Sequence, residues 1–264
     1  MRFTKGLSMR PLSLDTHQQV FASFGIYAFA MGNIFPRLPD IKAALDVGEG
    51  ALGLALIGAP VGTLISLTLG APLLKRVGHR QAMLALIPLV AIFYAIAVQA
   101  TGTLGLFLLL IPPGLMIGAI EILVNVEADR TEAAIGRRIM NRSHAFWSLG
   151  FFAAGMFGAV MAQLGISPQV HLMLVVVVTC IAVWLCLADF QPAPARGTDT
   201  SEKTPLFSMP TLPIMILVSI SFSAMLLEGA SIDWSAIYMV SVFQSAPFMG
   251  GLACLLYTSP SPRD

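Results

Sequence analysis

The chain has 264 residues, of which 56% are hydrophobic and 11% are charged, and its formal net charge is +1. Soluble domains carry about 25% charged residues, so this composition places the chain among membrane proteins. The charge pattern contains no basic cluster, and we expect no nucleic-acid partner. Cys180, Cys186 and Cys254 lack metal-binding spacing. We therefore expect neither a disulfide nor a metal site.

Long uncharged runs predict the membrane spans, because a spanning helix needs about 20 mostly apolar residues. The runs Gln81–Ile120 and Ser143–Ala188 contain 40 and 46 residues, enough for two spans each, with Gly, Pro and Ser marking the turns. An eighth span is expected near Tyr238, after an interruption of the seventh helix at Gly229. The seven predicted spans are 18–36, 50–74, 82–100, 104–126, 144–163, 170–188 and 211–228.

Basic residues divide unequally between the two sides of the membrane when these spans alternate. One side holds twelve basic residues and the other only Arg37 and Lys42, which predicts a cytoplasmic N-terminus. A cleaved signal peptide ending near Ala28-Phe29-Ala30 is the alternative, but the apolar run continues past it and more spans follow. The twelve residues are Arg2, Lys5, Arg10, Lys75, Arg76, Arg80, Arg130, Arg137, Arg138, Arg142, Arg196 and Lys203.

A polar segment after the sixth span divides the chain. It reads QPAPARGTDTSEKTPLFSMP and is rich in Pro, Ser and Thr, which predicts a flexible cytoplasmic linker. Six spans, a linker and further spans are the plan of a two-bundle transporter. The expected organisation is an N-terminal tail (1–15), a six-helix bundle (16–189), a linker (190–210) and the start of a second bundle (211–253).

Small residues recur at helix-packing spacing in three of the predicted spans. Such pairs allow helix backbones to approach closely in lipid. We expect packing and no chemistry from them. The pairs are Gly58 with Gly62, Gly114 with Gly118, and Ala154 with Gly158.

Glu121 is an ionisable residue inside the fourth predicted span. Gly114, Gly118, Glu121 and Asn125 are spaced to share one helix face. Acidic groups within spans are costly and commonly mark proton or solute pathways. The alternative is that the span ends near Met116 and that Glu121 is an interfacial charge.

The fifth predicted span carries a second candidate face. His144, Ser148, Phe151 and Gly155 share that face, with Trp147 beside it. Histidine changes charge near neutral pH, so His144 is a candidate proton relay. The alternative for His144 is capping of the helix or bonding to a loop, and for Trp147 it is interfacial packing.

A polar stripe follows one face of the first predicted span. It contains Gln19, Ser23, Ala30, Asn33 and Arg37. Asn33 lies deep enough to contact a central cavity. Arg37 is expected to extend to the lipid headgroups at the outer end.

Two further patterns concern helix ends. Asp46 and Glu49 have capping-box spacing, with Asp46 as the N-cap. Glu228 shares a face with Ser221 in the seventh span and is a candidate pathway residue. Asp233 is expected to cap a short helix beyond the interruption.

The stretch PLLKRVGHR, between the second and third spans, resembles the signature loop of the major facilitator superfamily. Arg76, Gly78 and Arg80 match its basic, glycine and basic positions. Ala71 replaces the first glycine, and Lys75 replaces the aspartate. The missing aspartate puts in doubt the charge pairing that the resemblance implies for this loop.

Three longer stretches resemble a bacterial branch of that superfamily whose understood members are fucose-permease-type sugar:proton symporters. They are RLPDIKAALDVGEGALGLALIGAPVGT, GRRIMNRSHAFWSLG and EGASIDWSAIY, and the resemblance covers about residues 18–253. It implies two six-helix bundles in a protein of about 400 residues. It also implies an acidic residue on the fourth span in the symport mechanism, and Glu121 lies at that place.

The last eleven residues, CLLYTSPSPRD (254–264), match the translation of a transposase end and adapter used in DNA library preparation. We expect this tail to be sequencing read-through. The chain is then a fragment that lacks most of the second bundle.

Together these patterns predict an all-α integral membrane protein: a secondary active transporter of the bacterial inner membrane that moves a small polar solute by alternating access, coupled to protons. The expected partners are the solute, protons, the bilayer and the second bundle, with no cofactor and no catalytic residue. The predicted pathway residues are Glu121, Asn125, His144, Asn33, Ser148, Trp147 and Glu228, and the predicted gating loop contains Arg76, Gly78 and Arg80.

Three other classes of protein compete with this prediction. A drug or metabolite efflux transporter would share the same fold. A rhodopsin-like or receptor protein is disfavoured by the predicted cytoplasmic N-terminus and by the lack of lysine in the seventh span. A membrane enzyme lacks support, since no metal-type cluster and no nucleophile with a placed base is evident.

The read-through hypothesis makes a prediction about the reading frame in the genomic DNA. Sequencing genomic DNA across the codons for Ala253 and Cys254 should show an open frame that continues for roughly 140 residues with four more charge-poor spans. A genomic stop codon directly after Asp264 would contradict it.

Overall fold

A computed structural model describes residues 12–195 and 209–255, and every regular element within those ranges is helical. The predicted all-α class is confirmed. A 3₁₀ turn at Phe35–Arg37 follows the first helix. The helices are α1 (Thr16–Gly32), α2 (Leu38–Leu45), α3 (Glu49–Leu56), α4 (Gly58–Val77), α5 (His79–Ala97), α6 (Thr103–Ile135), α7 (Met140–Gln163), α8 (Pro168–Leu187), α9 (Leu212–Ser241) and α10 (Pro247–Leu255).

Six helical segments in the described ranges are long and apolar enough to cross a membrane. Their lengths of 19 to 33 residues suffice to cross a hydrocarbon core, and each contains an apolar stretch with few charges. This establishes a multi-pass membrane protein. The segments are Glu49–Gly70, which joins α3 to α4, then α5, α6, α7, α8 and α9.

Glycines bring α4 and α6 into backbone contact. A Cβ added at Gly58, Gly62 or Gly114 would lie 2.1, 2.2 or 2.1 Å from a backbone oxygen of the other helix. The Thr63 hydroxyl donates to the Gly114 carbonyl at 3.1 Å. These distances leave no room for a side chain, so the predicted packing role of the glycine pairs is confirmed.

Glycines also bring α1 and α7 into close contact. A Cβ added at Gly150 would lie 2.1 Å from the Gly25 carbonyl oxygen, and one added at Gly32 would lie 2.9 Å from the Ala154 Cβ. The contacts advance in the same direction along both chains, so α1 and α7 are parallel. Gly158, the partner of Ala154 in the predicted pair, contacts the 3₁₀ turn that follows α1.

The two ends of the bundle differ in charge. The end that carries the α4–α5 turn, called the basic end below, holds Arg76, Arg80, Arg130, Arg137, Arg138 and Arg142. The start of α1 also lies there, since Gln19 Nε2 donates to Asp189 Oδ1 at 2.7 Å. Arg37 and Lys42 lie at the opposite end.

The predicted interruption at Gly229 is wrong, and the eighth helix begins at Pro247 and not near Tyr238. Helix α9 runs without a break from Leu212 to Ser241. A glycine inside a helix costs only about 1 kcal/mol, so it does not by itself end one. The chain turns after Ser241 and α10 begins at Pro247, which leaves Asp233 in the helix interior and not at a cap.

The predicted capping box is also wrong. Asp46 ends α2 in the left-handed conformation, with φ 51°, and Gly48 is the N-cap of α3. Aspartate tolerates this conformation better than most residues, so α2 stops there and α3 begins two residues later than the box requires. The Glu49 carboxylate pairs with Lys42 instead.

Parts of the predictions fall outside the described residues, including the basic residues Arg2, Lys5, Arg10, Arg196 and Lys203 of the sidedness prediction. The ranges concerned are the N-terminal tail up to residue 11, the linker at 196–208 and the proposed read-through at 256–264.

The glycine interface yields a stability prediction. Gly114→Ala should lower the free energy of unfolding by about 1–3 kcal/mol, because the methyl group forces α4 and α6 apart. SDS titration of the purified chain in micelles measures the change.

Gly229→Ala is the matched control, because nothing lies within 4 Å of a Cβ added there. It should leave stability unchanged or raise it by about 1 kcal/mol through helix propensity. Equal effects of the two substitutions would contradict the packing role.

Candidate functional site

A polar cluster joins α1 to α6 inside the bundle. The Tyr27 hydroxyl donates to Glu121 Oε1 at 2.9 Å. Asn125 Nδ2 donates to Glu121 Oε2 at 3.3 Å and to the Glu121 carbonyl at 2.9 Å. The structure therefore brings Glu121 and Asn125 together as their spacing indicated, and adds Tyr27 as a second donor.

The burial of this cluster is uneven. Tyr27 is fully buried, whereas Glu121 and Asn125 are half-buried. Helix α6 continues for fourteen residues beyond Glu121 to Ile135, so Glu121 does not lie at a helix end. One side of the carboxylate is thus held by the bundle and the other side is accessible.

Tyr27 was not among the predicted site residues. An aromatic residue in an apolar span usually packs, and its partner lies 94 residues away in sequence. The available signal was its position four residues after Ser23, on the polar stripe of the first span.

The other members of that stripe are not directed at a cavity. Ser23 is buried and donates to the Val20 carbonyl at 2.7 Å. Asn33 is fully buried, and its Nδ2 donates to the Phe29 carbonyl at 2.7 Å. Both hydrogen bonds therefore return to the backbone of α1 itself.

Asn33 pairs with a histidine that the sequence did not indicate. His171 Nε2 lies 3.0 Å from Asn33 Oδ1. The Asn33 oxygen can only accept, so His171 Nε2 carries the proton in this bond. His171 is fully buried and links α8 to the end of α1. The indication in the sequence was a polar imidazole side chain inside a long uncharged run.

Arg37 is buried and does not extend to the headgroups, so that expectation is wrong. Its side chain is 2% exposed, with Nε 3.0 Å from Asp40 Oδ2 and Nη2 donating to the Ile166 carbonyl. Burial raises the pKa of the Asp40 carboxyl above its ordinary value, and the Arg37 guanidinium opposes that shift. Arg37 therefore fastens the end of α1 to the α7–α8 turn.

The candidate face of α7 is separate from the Glu121 cluster. His144 is exposed, and its ring meets Phe24 edge-on at 5.2 Å between centroids. Trp147 stacks on Phe151 at 5.2 Å, and Ser148 is half-buried beside it. No hydrogen bond or ion pair joins His144 to Glu121 in the described ranges.

His144 does not cap α7. Glu132 performs that role, since its Oε2 accepts from the Ile139 and Met140 amides at 2.9 and 3.2 Å. Glu228 is exposed on α9, where the stretch from Leu212 to Leu227 is also exposed. It is not brought to the Glu121 cluster.

A second acidic centre lies at the basic end. Glu127 is fully buried on α6. Its Oε1 pairs with His79 Nδ1 and lies 3.3 Å from Arg130 Nη1, and its Oε2 accepts from the Ala193 amide at 3.2 Å. Three donors, from α5, α6 and the segment after α8, therefore offset the cost of burying this charge.

The predicted gating loop lies beside this centre. Gly78 turns the chain with φ 84°, a conformation that favours glycine. Arg80 donates to the Ala188 carbonyl, and Arg76 is exposed. The resemblance implied an acidic partner within the loop, and in this chain Glu127 on α6 provides the buried acid next to it.

Comparison with known proteins finds distant relatives. An uncharacterized MFS-type transporter of Yersinia pestis is 24% identical over 235 residues, which is 89% of this chain and 60% of the relative. An uncharacterized transporter of Sinorhizobium fredii is 25% identical, covering 84% and 59% of the two chains. Membrane protein MosC of Rhizobium meliloti is 23% identical, covering 96% and 61%. No family model matches the chain.

The fold and these names agree on a class of protein. The fold is a bundle of apolar membrane-spanning helices, and two of the relatives that it resembles are named as transporters, one of them as MFS-type. The chain spans about three-fifths of the length of the relatives it matches.

The Glu127 centre yields a stability prediction. Glu127→Ala should lower the free energy of unfolding by about 1–3 kcal/mol, because His79 and the buried Ala193 amide lose their acceptor. Glu49→Ala, which removes an exposed ion pair, is the control and should give no measurable change. Thermal unfolding in micelles compares the two variants. An unchanged stability of Glu127→Ala would contradict the structural role of Glu127.

Proposed function

We propose that the chain is part of a secondary active transporter of the major facilitator superfamily, which moves a small polar solute across the bacterial inner membrane by alternating access. The observation that carries the proposal is the cluster of Tyr27, Glu121 and Asn125 between two helices of an apolar bundle. An ionisable group in that setting marks a pathway for ions or solute. The names of the relatives support the same class.

Glu121 is the proposed proton carrier. Tyr27 and Asn125 both donate to its carboxylate, so the observed arrangement fits the ionised form. A proton on Glu121 turns one acceptor into a donor, and one partner must then rearrange. The Tyr27 hydroxyl has a second acceptor within reach, the Met31 sulfur at 3.6 Å. Protonation of Glu121 is thereby linked to the contact between α1 and α6.

A sugar or related metabolite is the proposed solute class. The support is the resemblance of three stretches to fucose-permease-type sugar:proton symporters, together with the polar lining that Glu121 and Asn125 offer. The unequal division of basic residues supports a cytoplasmic basic end, and hence a cytoplasmic N-terminus.

A second bundle is the proposed partner of the first. Helix α10 packs on α7 and α9, while the first half of α9 is exposed. Relatives longer than this chain support further helices that cover this half of α9.

The test is transport by the intact protein with Glu121→Gln. Uphill uptake, followed as solute-induced alkalinisation with a panel of hexoses, should be abolished while exchange continues, because the amide cannot carry a proton. Tyr27→Phe should lower uptake by about tenfold through loss of one hydrogen bond to a charged group.

Glu49→Gln is the matched control, because it makes the same change on an exposed ion pair, and it should transport like the wild type. Unchanged concentrative uptake by Glu121→Gln would remove Glu121 from the mechanism. Solute movement without alkalinisation in the wild type would remove proton coupling and leave the transporter class standing.

A further inference from the structure

An apolar crevice opens between α4 and α5 near the basic end, with α6 as its floor. Its volume is about 330 Å³. No charged side chain lines it among the described residues. We call it the α4–α5 crevice. Its walls include Ile65, Leu69, Leu74, Ala85, Leu86 and Leu115.

The crevice follows from how three helices pack. Both α4 and α5 lie against α6, but they contact each other at few positions. Small residues at the divergence, Gly70, Ala82 and Ala119, leave the space between them unfilled. Leu69 is 71% exposed at its edge, so the space is open to the surroundings of the bundle. A linear apolar group fits such a slot.

A positively charged side chain, that of Arg76, lies at the end of the crevice. Arg76 is exposed and directly precedes Val77, a lining residue. It also lies seven residues after Leu69, on the same helix face. No acidic side chain in the described ranges pairs with Arg76, whereas Arg80 and Arg130 are occupied. The exposed charge is therefore available to an anion at the membrane surface.

We propose that the α4–α5 crevice binds one acyl chain of an anionic phospholipid, and that Arg76 binds its phosphate headgroup. Charge complementarity selects this occupant. An apolar slot in a membrane helix bundle receives a hydrocarbon chain, and a basic residue at its end holds an anionic headgroup. Glu121 does not line this site, which is separate from the Glu121 cluster.

Native mass spectrometry tests the site on the purified chain in nanodiscs of equal phosphatidylglycerol and phosphatidylcholine. The wild type should retain phosphatidylglycerol in preference to phosphatidylcholine. Arg76→Gln should reduce that preference by about fivefold, the worth of one basic residue near a membrane surface. Arg137→Gln, which removes an exposed arginine at the same end, should leave it unchanged.

Filling the crevice tests the acyl chain. Ala85→Phe should abolish lipid retention, whereas Ala153→Phe, at an exposed alanine on α7, should not. Photolabelling of the wild type with a phosphatidylglycerol that carries a diazirine in its acyl chain needs no variant, and label should appear on peptides of α4, α5 and α6. Equal retention of both lipids, unchanged retention by Ala85→Phe, or label confined to other helices would each overturn the proposal.

Discussion

Backbone contact at glycine positions is the constraint on which the rest of the structure depends. Lipid tails are as apolar as leucine, so burial of apolar surface does not drive helices together inside a membrane. Gly62 and Gly114 allow α4 and α6 to touch, and Gly25 and Gly150 do the same for α1 and α7. These interfaces fix α6 relative to α4, and Glu121 lies three residues beyond the last of its interface glycines.

Buried polar groups hold the helices together toward the two ends of the bundle, and the Glu121 cluster between them stays partly accessible. Glu127 holds α5, α6 and the segment after α8 at the basic end, and Asn33 with His171 holds α1 to α8 toward the other. Each of these side chains is fully buried and makes at least one hydrogen bond, which offsets part of the cost of burying a polar group in lipid. Glu121 differs because it is half-buried. Of the two acids, Glu127 is fully buried and paired as a structural group, and Glu121 is the one that we propose as the proton carrier.

Sequence patterns located the spans from the second onward but not the first, since α1 has only 17 residues, and they indicated few of the contacts between helices. Membrane thickness sets a minimum apolar length, so uncharged runs locate spans without knowledge of their neighbours. Helix ends depend on weaker effects, which is why one glycine failed to end α9. Tyr27 and His171 escaped notice because their partners lie 94 and 138 residues away, where no local spacing records them. The pairing of Glu121 with Asn125 was predictable because both lie on one helix.

Helix α6 makes two kinds of contact, a rigid one with α4 and a movable one with α1. Between α4 and α6 the backbones meet with no room for a Cβ, so a shift of either helix must carry the other with it. Within the described residues, α1 and α6 are joined by one side-chain hydrogen bond, from Tyr27 to Glu121, which rotation of a hydroxyl can release. In the proposed mechanism, a rearrangement at Glu121 acts on the α1–α6 contact and moves α4 and α6 together, so that the chemistry of one carboxylate is linked to the position of two helices.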